Sequence, residues 1–393
     1  MAQFLFLLYW LLKSFYMSES GGLQIGDYIF VLSFGFLVIE RFVLTKKKKI
    51  LSLNQDSYLI WFIMFVIIIN LANRIFYADN NLLLSIAYFI FNFLVIFEFR
   101  ILAEEKDFLR NFFFTTFFCI FIQAVIYLIG TGRWYSTDRY QGTFNDPNQL
   151  AFFVMSRFFI LYIIYNHLKA GKIYEKIFLF VAFLLTMLLI VKSASTGMLL
   201  GMGVFAAIWL IHTFLSLQAT GKVIALIVGV AVFGFFLLVD TFALDIQIAE
   251  DLFNRLEGKF NKMSGENAFE GFVKDRNLQA FFNAPHYIMF GSGEGAFDRF
   301  ISVGSSGNEL HSSILALLFY YGIVPFVLLC IWVKDNLKNK TKADICVYLA
   351  IFAEMLTLIN HRQASLWILF ILPAVLAKKA STNIAEPLKG DYK

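Results

Sequence analysis

Ser57-Tyr-Leu-Ile-Trp-Phe-Ile-Met-Phe-Val-Ile-Ile-Ile-Asn-Leu-Ala-Asn-Arg-Ile-Phe76 is the stretch that decides the fold class. A helix of this length covers about 30 Å at ~1.5 Å per residue, the thickness of a bilayer's hydrocarbon core. Similar runs recur near residues 2–18, 25–44, 81–99, 111–130, 149–167, 177–194, 196–216, 222–240, 311–332, 344–360 and 364–378. The expected fold is therefore all-α: a polytopic transmembrane helical bundle of about twelve spans, forming a single integral membrane domain over residues 1–393. Composition agrees, because 59% of the 393 residues are hydrophobic and only 16% are charged, against about 25% charged in an average soluble domain.

The net charge of +5 does not point to nucleic acid, since the basic residues sit in short loops between apolar runs. Cys119, Cys330 and Cys346 all fall in apolar runs and form no CxxC pair, so they suggest neither a disulfide framework nor a metal site. The run Phe4 to Phe15 lacks a basic leader and is interrupted by Lys13, which favours an uncleaved first helix over a signal peptide.

With a cytoplasmic N-terminus, the basic stretches Lys46 to Lys49, Arg100 to Arg110, Lys169 to Lys176, Lys222, Lys334 to Lys342 and Lys378 to Lys379 fall on one side. That is the positive-inside pattern, and it places the C-terminus in the cytoplasm as well. The extracytoplasmic segments are then Gly130 to Asn148, the turn Ser193 to Gly197, a long loop over residues 241–310 between spans 9 and 10, and the turn Asn360 to Ser365. A loop of that length is expected to carry structure of its own. Ile248, Leu252, Leu256 and Phe260 recur every fourth residue, as on a surface-lying amphipathic helix. A second helical stretch is expected from Ala268 to Asn283, ending before Pro285, so that the loop forms a lid of short helices.

The first polar loop, Arg139-Tyr-Gln-Gly-Thr-Phe-Asn-Asp-Pro-Asn148, leads straight into an apolar run. Gly142 and Pro147 shape a turn, while Asn145, Asp146 and Asn148 can cap the following helix. Arg139 is not needed for that, and an arginine beside a helix N-terminus makes a ready anion site. The long loop carries Asp275-Arg276, then Phe-Gly-Ser-Gly-Glu-Gly-Ala-Phe from Phe290 to Phe297, then Glu309-Leu-His311. No strand–turn–helix context accompanies the glycines, which argues against a nucleotide loop. An interfacial histidine is more often structural than catalytic. A helix dipole and neighbouring arginines would nevertheless keep His311 neutral, as a general base requires.

Arg157 lies about 13 Å inside the sixth span and Lys192 near the outer end of the seventh. Cations within spans usually face a bundle interior or polar cavity, although snorkelling accounts for Lys192 equally well. The turn Ser193-Ala-Ser-Thr-Gly197 can cap the next helix or offer an anion nest. The outer face thus gathers Arg133, Arg139, Arg276 and Arg362 with few obvious carboxylate partners, which implies an anionic ligand.

At these residues the chain resembles the O-antigen polymerase and O-antigen ligase family. The shared features are the Arg139-to-Ala151 stretch, the Ser195-Thr-Gly197 turn, and a long loop with an arginine, the Phe290-to-Phe297 string and a histidine opening the next helix. The resemblance covers about residues 130–330. It departs at Ser312, where the family has an asparagine, and at Thr196, where it has an arginine. What it implies is a bacterial inner-membrane glycosyltransferase that needs neither metal nor cofactor. Such an enzyme moves a glycan from an undecaprenyl-diphosphate-linked oligosaccharide to the sugar hydroxyl of another lipid-linked repeat, on the periplasmic face. Membrane lipid and a chain-length regulator, or other polysaccharide-assembly proteins, are the partners it implies. Arg139 and Arg276 would hold the diphosphate and His311 would act as base or position the acceptor, with Arg157, Lys192, Asn145, Asp146, Asn148 and Arg362 as further substrate-binding candidates. The alternatives are a ligase that transfers finished polymer to a lipid A core, and a transporter or flippase. The latter predicts broken helices, inverted repeats and midplane polar groups, and no clear internal repeat is visible.

Overall fold

The computed structural model describes residues 1–18, 22–44, 53–136, 139–168, 172–216, 257–258 and 268–385. Helix dominates. α1 (Ala2–Leu12) and α2 (Ile25–Val38) pack on each other, and α2 continues as a π-helical turn over Ile39–Leu44. Then follow α3 (Ser57–Tyr77), α4 (Asn81–Leu102), α5 (Phe108–Leu128), a two-stranded ribbon of β1 (Arg133–Ser136) and β2 (Arg139–Gly142), α6 (Pro147–Leu168), α7 (Ile173–Ser193) and α8 (Thr196–Ser216). After three short helices, α9 (Ala268–Asp275), α10 (Gln279–Asn283) and α11 (His286–Phe290), come α12 (Ser313–Tyr321), α13 (Ile323–Leu337), α14 (Ile345–Met355) and α15 (Ala364–Ala385).

Seven of these, α3 to α8 and α15, are long and apolar enough to cross a membrane by length and composition. α6 is the central helix: 83% of its apolar window is buried, against 22% for α7, and it packs against α5, α7, α8 and α15. The expected span at 222–240 and the four apolar residues Ile248, Leu252, Leu256 and Phe260 of the amphipathic stretch lie outside the described residues. The expected first span shortens to the 11-residue α1, and 344–360 to the 11-residue α14.

The chain ends of several helices meet through their charges. Arg100 at the end of α4 is buried and donates to Asp56 (3.0 Å) and Asn336 (2.7 Å), while the Trp332 indole donates to the same Asp56 carboxylate at 2.8 Å. Lys378 pairs with Glu104 at 2.5 Å and Arg41 with Glu105 at 2.9 Å. The basic stretches at Arg100, Lys334 and Lys378 thereby converge on one end of the bundle.

Two expected helices are broken, each for a visible reason. Ala268 to Asn283 splits at Asn277, which takes a left-handed φ of 52° that asparagine tolerates better than most residues. Its side chain is fully engaged: Nδ2 donates to the Asn308 and Glu309 carbonyls, and Oδ1 accepts from Ser305 and Ser306. The expected span 311–332 splits at Gly322, whose φ is 80°. Breaking there frees the last carbonyls of α12, and the glycine string takes them up: Ser292 N–H donates to Phe319 O (3.1 Å) and Gly293 N–H to Tyr320 O (2.8 Å).

The two backbones approach so closely that a Cβ on Gly322 would lie 2.7 Å from the Met289 carbonyl oxygen. Gly322→Ala is accordingly expected to lower stability by at least about 1–2 kcal/mol from the left-handed backbone alone, before the overlap is counted. Thermal unfolding in detergent checks this against Gly35→Ala, whose added methyl meets nothing within 4 Å and should be neutral.

Candidate functional site

The first polar loop is built around the start of α6. Asp146 is the N-cap: its Oδ1 accepts the Asn148 N–H at 2.7 Å and its carbonyl accepts from Leu150 at 3.3 Å. Pro147 fills the first helical position, where no N–H is needed. Asn145 instead anchors the loop, donating to the Ser18 carbonyl at 2.9 Å and accepting from Arg133 at 3.4 Å. Asn148 Oδ1 accepts from both Arg139 Nη2 (3.2 Å) and Ser195 Oγ (2.8 Å), and Arg139 Nε donates to the Ser193 carbonyl at 3.1 Å. The predicted arginine loop and the predicted Ser-Thr-Gly turn are thus one cluster. Lys192, one residue before Ser193, sits partly exposed with its ammonium 5.6 Å from the Tyr127 ring centroid. Asp146→Ala should remove the cap and lower the unfolding midpoint in detergent, at a cost of about 0.5–2 kcal/mol.

The second cluster joins the short helices to α12 and α14. Arg276 follows α9 and donates through Nη1 to the Thr357 carbonyl just beyond α14, while its own carbonyl accepts the His311 N–H at 2.9 Å. Burial holds the Arg276 pKa below its ordinary value, opposed by Asp275 and Glu354. The His311 imidazole is partly exposed and hydrogen-bonds to no described residue. Burial lowers its pKa below the ordinary 6.5; Glu309 and Asp146 oppose this and Arg276 reinforces it. His311 itself precedes the helix. Ser312 is the N-cap of α12, its Oγ accepting the Leu315 N–H at 3.4 Å.

For Arg362, one of the four arginines with few obvious carboxylate partners in the sequence, the structure supplies two: it bridges Glu294 at 2.6 Å and Glu309 at 2.7 Å. Glu294, in the middle of the glycine string, is the residue that sequence reasoning missed. It is 1% exposed, and its carboxylate accepts from Tyr321 Oη (2.5 Å) and contacts His361 Nε2 (2.9 Å). Its backbone is pinned as well, with the N–H donating to Asn70 Oδ1 at 2.9 Å and the carbonyl accepting from Ser85 Oγ at 2.9 Å. Burial would raise the Glu294 pKa, but the charges of Arg362 and His361 and the bonds from His361 and Tyr321 outweigh it and hold the pKa far below the carboxylate range. The glycines are needed because α3 and α4 press on the string: a Cβ on Gly293 would meet Leu82 at 2.9 Å, and one on Gly295 the Leu82 backbone nitrogen at 2.8 Å. The available signal was an acidic residue between two glycines in an otherwise apolar setting. A charge so placed requires partners, and His361-Arg362 are the basic pair that meets it.

Arg157 does not join either cluster. It is 2% exposed in the packed core, its guanidinium carbon 3.4 Å from the Trp10 ring centroid and 4.5 Å from that of Phe153. The rings offer it cation–π attraction, while Nε and Nη1 have no hydrogen-bond partner among the described residues. Among the described residues, no group of three or more His, Cys, Asp or Glu side chains could hold a metal ion.

The arrangement can therefore do two things chemically. It offers a neutral, reachable imidazole beside an arginine, and it holds that imidazole on a scaffold fixed by buried charge. Compared with known proteins, the chain matches no family model and no curated sequence.

Proposed function

We propose that the chain is a metal-independent membrane glycosyltransferase, a polymerase of polysaccharide repeat units of the O-antigen polymerase and ligase kind. In this reading about twelve spans cross a bacterial cytoplasmic membrane, both termini are cytoplasmic, and residues 241–310 form a lid over an active site on the outer face. The observation that carries the proposal is His311: an imidazole with a lowered pKa, partly exposed and without a hydrogen-bond partner among the described residues, next to Arg276. Those are the properties of a general base awaiting an acceptor hydroxyl.

His311 removes the proton of that hydroxyl, and the oxygen attacks the anomeric carbon of the donor glycan. The bond from that carbon to the diphosphate oxygen breaks, and the undecaprenyl diphosphate leaves with the electron pair. Arg276, Arg139 and Lys192 are the cations suited to the leaving charge. Arg157, stacked in the core, and Arg362, shared by two carboxylates, serve the scaffold in this reading.

The test gives the purified protein a defined undecaprenyl-diphosphate repeat, with and without a chelator. Lengthened chains are expected in both. No lengthening in either defeats the polymerase reading, and lengthening abolished by chelator defeats the metal-independent one. Deleting the gene separates polymerase from ligase: loss of a polymerase leaves single repeats on the acceptor, whereas loss of a ligase strands polymer on the carrier lipid.

A further inference from the structure

α13 and α14 are joined by the loop at residues 338–344, but they do not pack as a pair: α13 lies on α3 and α15, and α14 lies on α8. Between them runs a groove of about 470 Å³, walled by Leu329 and Val333 of α13 and Leu349 and Phe352 of α14, with Phe370 of α15 beneath. Lys334 and Lys340 line one end, and His361 lines it near the other. Along α13 the groove extends from Phe326 to Leu337, about 16 Å at ~1.5 Å per residue, which is close to half of a ~30 Å hydrocarbon core. One end is therefore basic, the walls are apolar, and the length is that of one leaflet.

The charge at the basic end is not neutralised locally. Over residues 334–342 there are four lysines, Lys334, Lys338, Lys340 and Lys342, all exposed, against the single carboxylate of Asp335. Arg100 and Asp344 do not alter this balance, because Arg100 is paired with Asp56, and Asp344 is buried against His167 at 2.8 Å. We propose that this groove binds one anionic phospholipid, its phosphate held by Lys334 and Lys340 and an acyl chain lying between α13 and α14. The ligand is a phospholipid of the leaflet that meets the basic helix ends, and its phosphate sits at the opposite end of the bundle from His311 and Arg276. Its tail ends near His361, whose Nε2 contacts Glu294. Lysines at the end of a span attract anionic headgroups, and the walls accept the chain that a zwitterionic lipid would bring without the charge complement.

Cys330 gives a direct probe, because it lines the groove and is the exposed cysteine, while Cys119 and Cys346 are buried. The full-length protein in detergent is alkylated with N-ethylmaleimide in the presence of phosphatidylglycerol, phosphatidylcholine or undecaprenyl phosphate, and labelling at Cys330 is followed by mass spectrometry. Phosphatidylglycerol is expected to slow labelling several-fold more than the same amount of phosphatidylcholine. The double variant Lys334→Gln/Lys340→Gln should abolish that difference while leaving the lipid-free rate unchanged. Equal protection by the two phospholipids overturns the proposal, as does a difference that survives in the double variant. Protection by undecaprenyl phosphate with none from phosphatidylglycerol overturns it too, by assigning the groove to a polyprenyl chain. None of these readings involves glycosyl transfer, so the groove and the proposed activity fail independently.

Discussion

Glu294→Gln is expected to lower the stability of the protein in detergent by about 3–5 kcal/mol, the cost of removing one partner from a buried ion pair. The carboxylate is 1% exposed and is shared by Arg362, His361 and Tyr321. Glutamine keeps the shape and removes the charge, so Arg362 loses its buried counter-ion and, among the described residues, keeps the carboxylate of Glu309. The amide must also turn an N–H toward one of three groups that now donate to, or pair with, oxygen. Adding Arg362→Met to Glu294→Gln should recover part of the loss, because the orphaned charge is then gone as well; such non-additivity is the signature of a shared network. The measurement is thermal or denaturant unfolding of Glu294→Gln, Arg362→Met and the double variant beside wild type. Equal stability of wild type and Glu294→Gln would sink the assignment.

The same residue sets a pH dependence. Its folded pKa is depressed, so the stabilisation is fully present above the unfolded carboxyl value of about 4.3, and is lost as pH falls below it toward the folded value.

Much of the scaffold was legible from apolar run length alone. α3, α4, α5, α6, α7 and α8 each fall within a few residues of the expected runs, because a span needs a fixed number of apolar residues and little else. The N-cap at Asp146 was legible for an equally local reason: capping depends on a residue and the two or three after it. What run length could not reveal was where a run breaks. Gly322 lies inside an unbroken apolar stretch, and only the arrival of Met289 to Gly293 from the preceding loop makes its left-handed φ necessary. The glycine string shows the same limit from the other side. Its spacing resembles an anion loop, yet the N–H groups of Ser292 and Gly293 are used on the carbonyls of α12 and that of Glu294 on Asn70. The partners of Arg362 are not obvious in the sequence because Glu294 and Glu309 are more than fifty residues away. Hydropathy, caps and charge sidedness are local properties, whereas the pairing of buried charges belongs to the tertiary structure.

The largest functional effect is expected at His311. If it is the base, His311→Ala should reduce chain lengthening by about 10²–10⁴-fold, the range for loss of general base catalysis, with protein abundance in the membrane unchanged. The side chain makes no hydrogen bond to a described residue, and its fold contribution runs through the backbone N–H to Arg276, which alanine keeps. His286, in α11, provides the comparison: His286→Ala should leave activity intact. Arg276→Ala is a less clean test, since it also removes the bond to the Thr357 carbonyl, and its effect should therefore appear in stability as well as in rate.

The pH profile separates a base from a merely positional histidine. With a pKa held below 6.5 by burial and Arg276, the imidazole is free base at neutral pH. Activity should be flat there and fall as pH drops through that lowered value. His311→Gln retains polar contact without a titrating base, so any residual activity should lose this acidic limb. A residual rate in His311→Gln that keeps the wild-type acidic limb would assign the limb to another group and reduce His311 to positioning the acceptor.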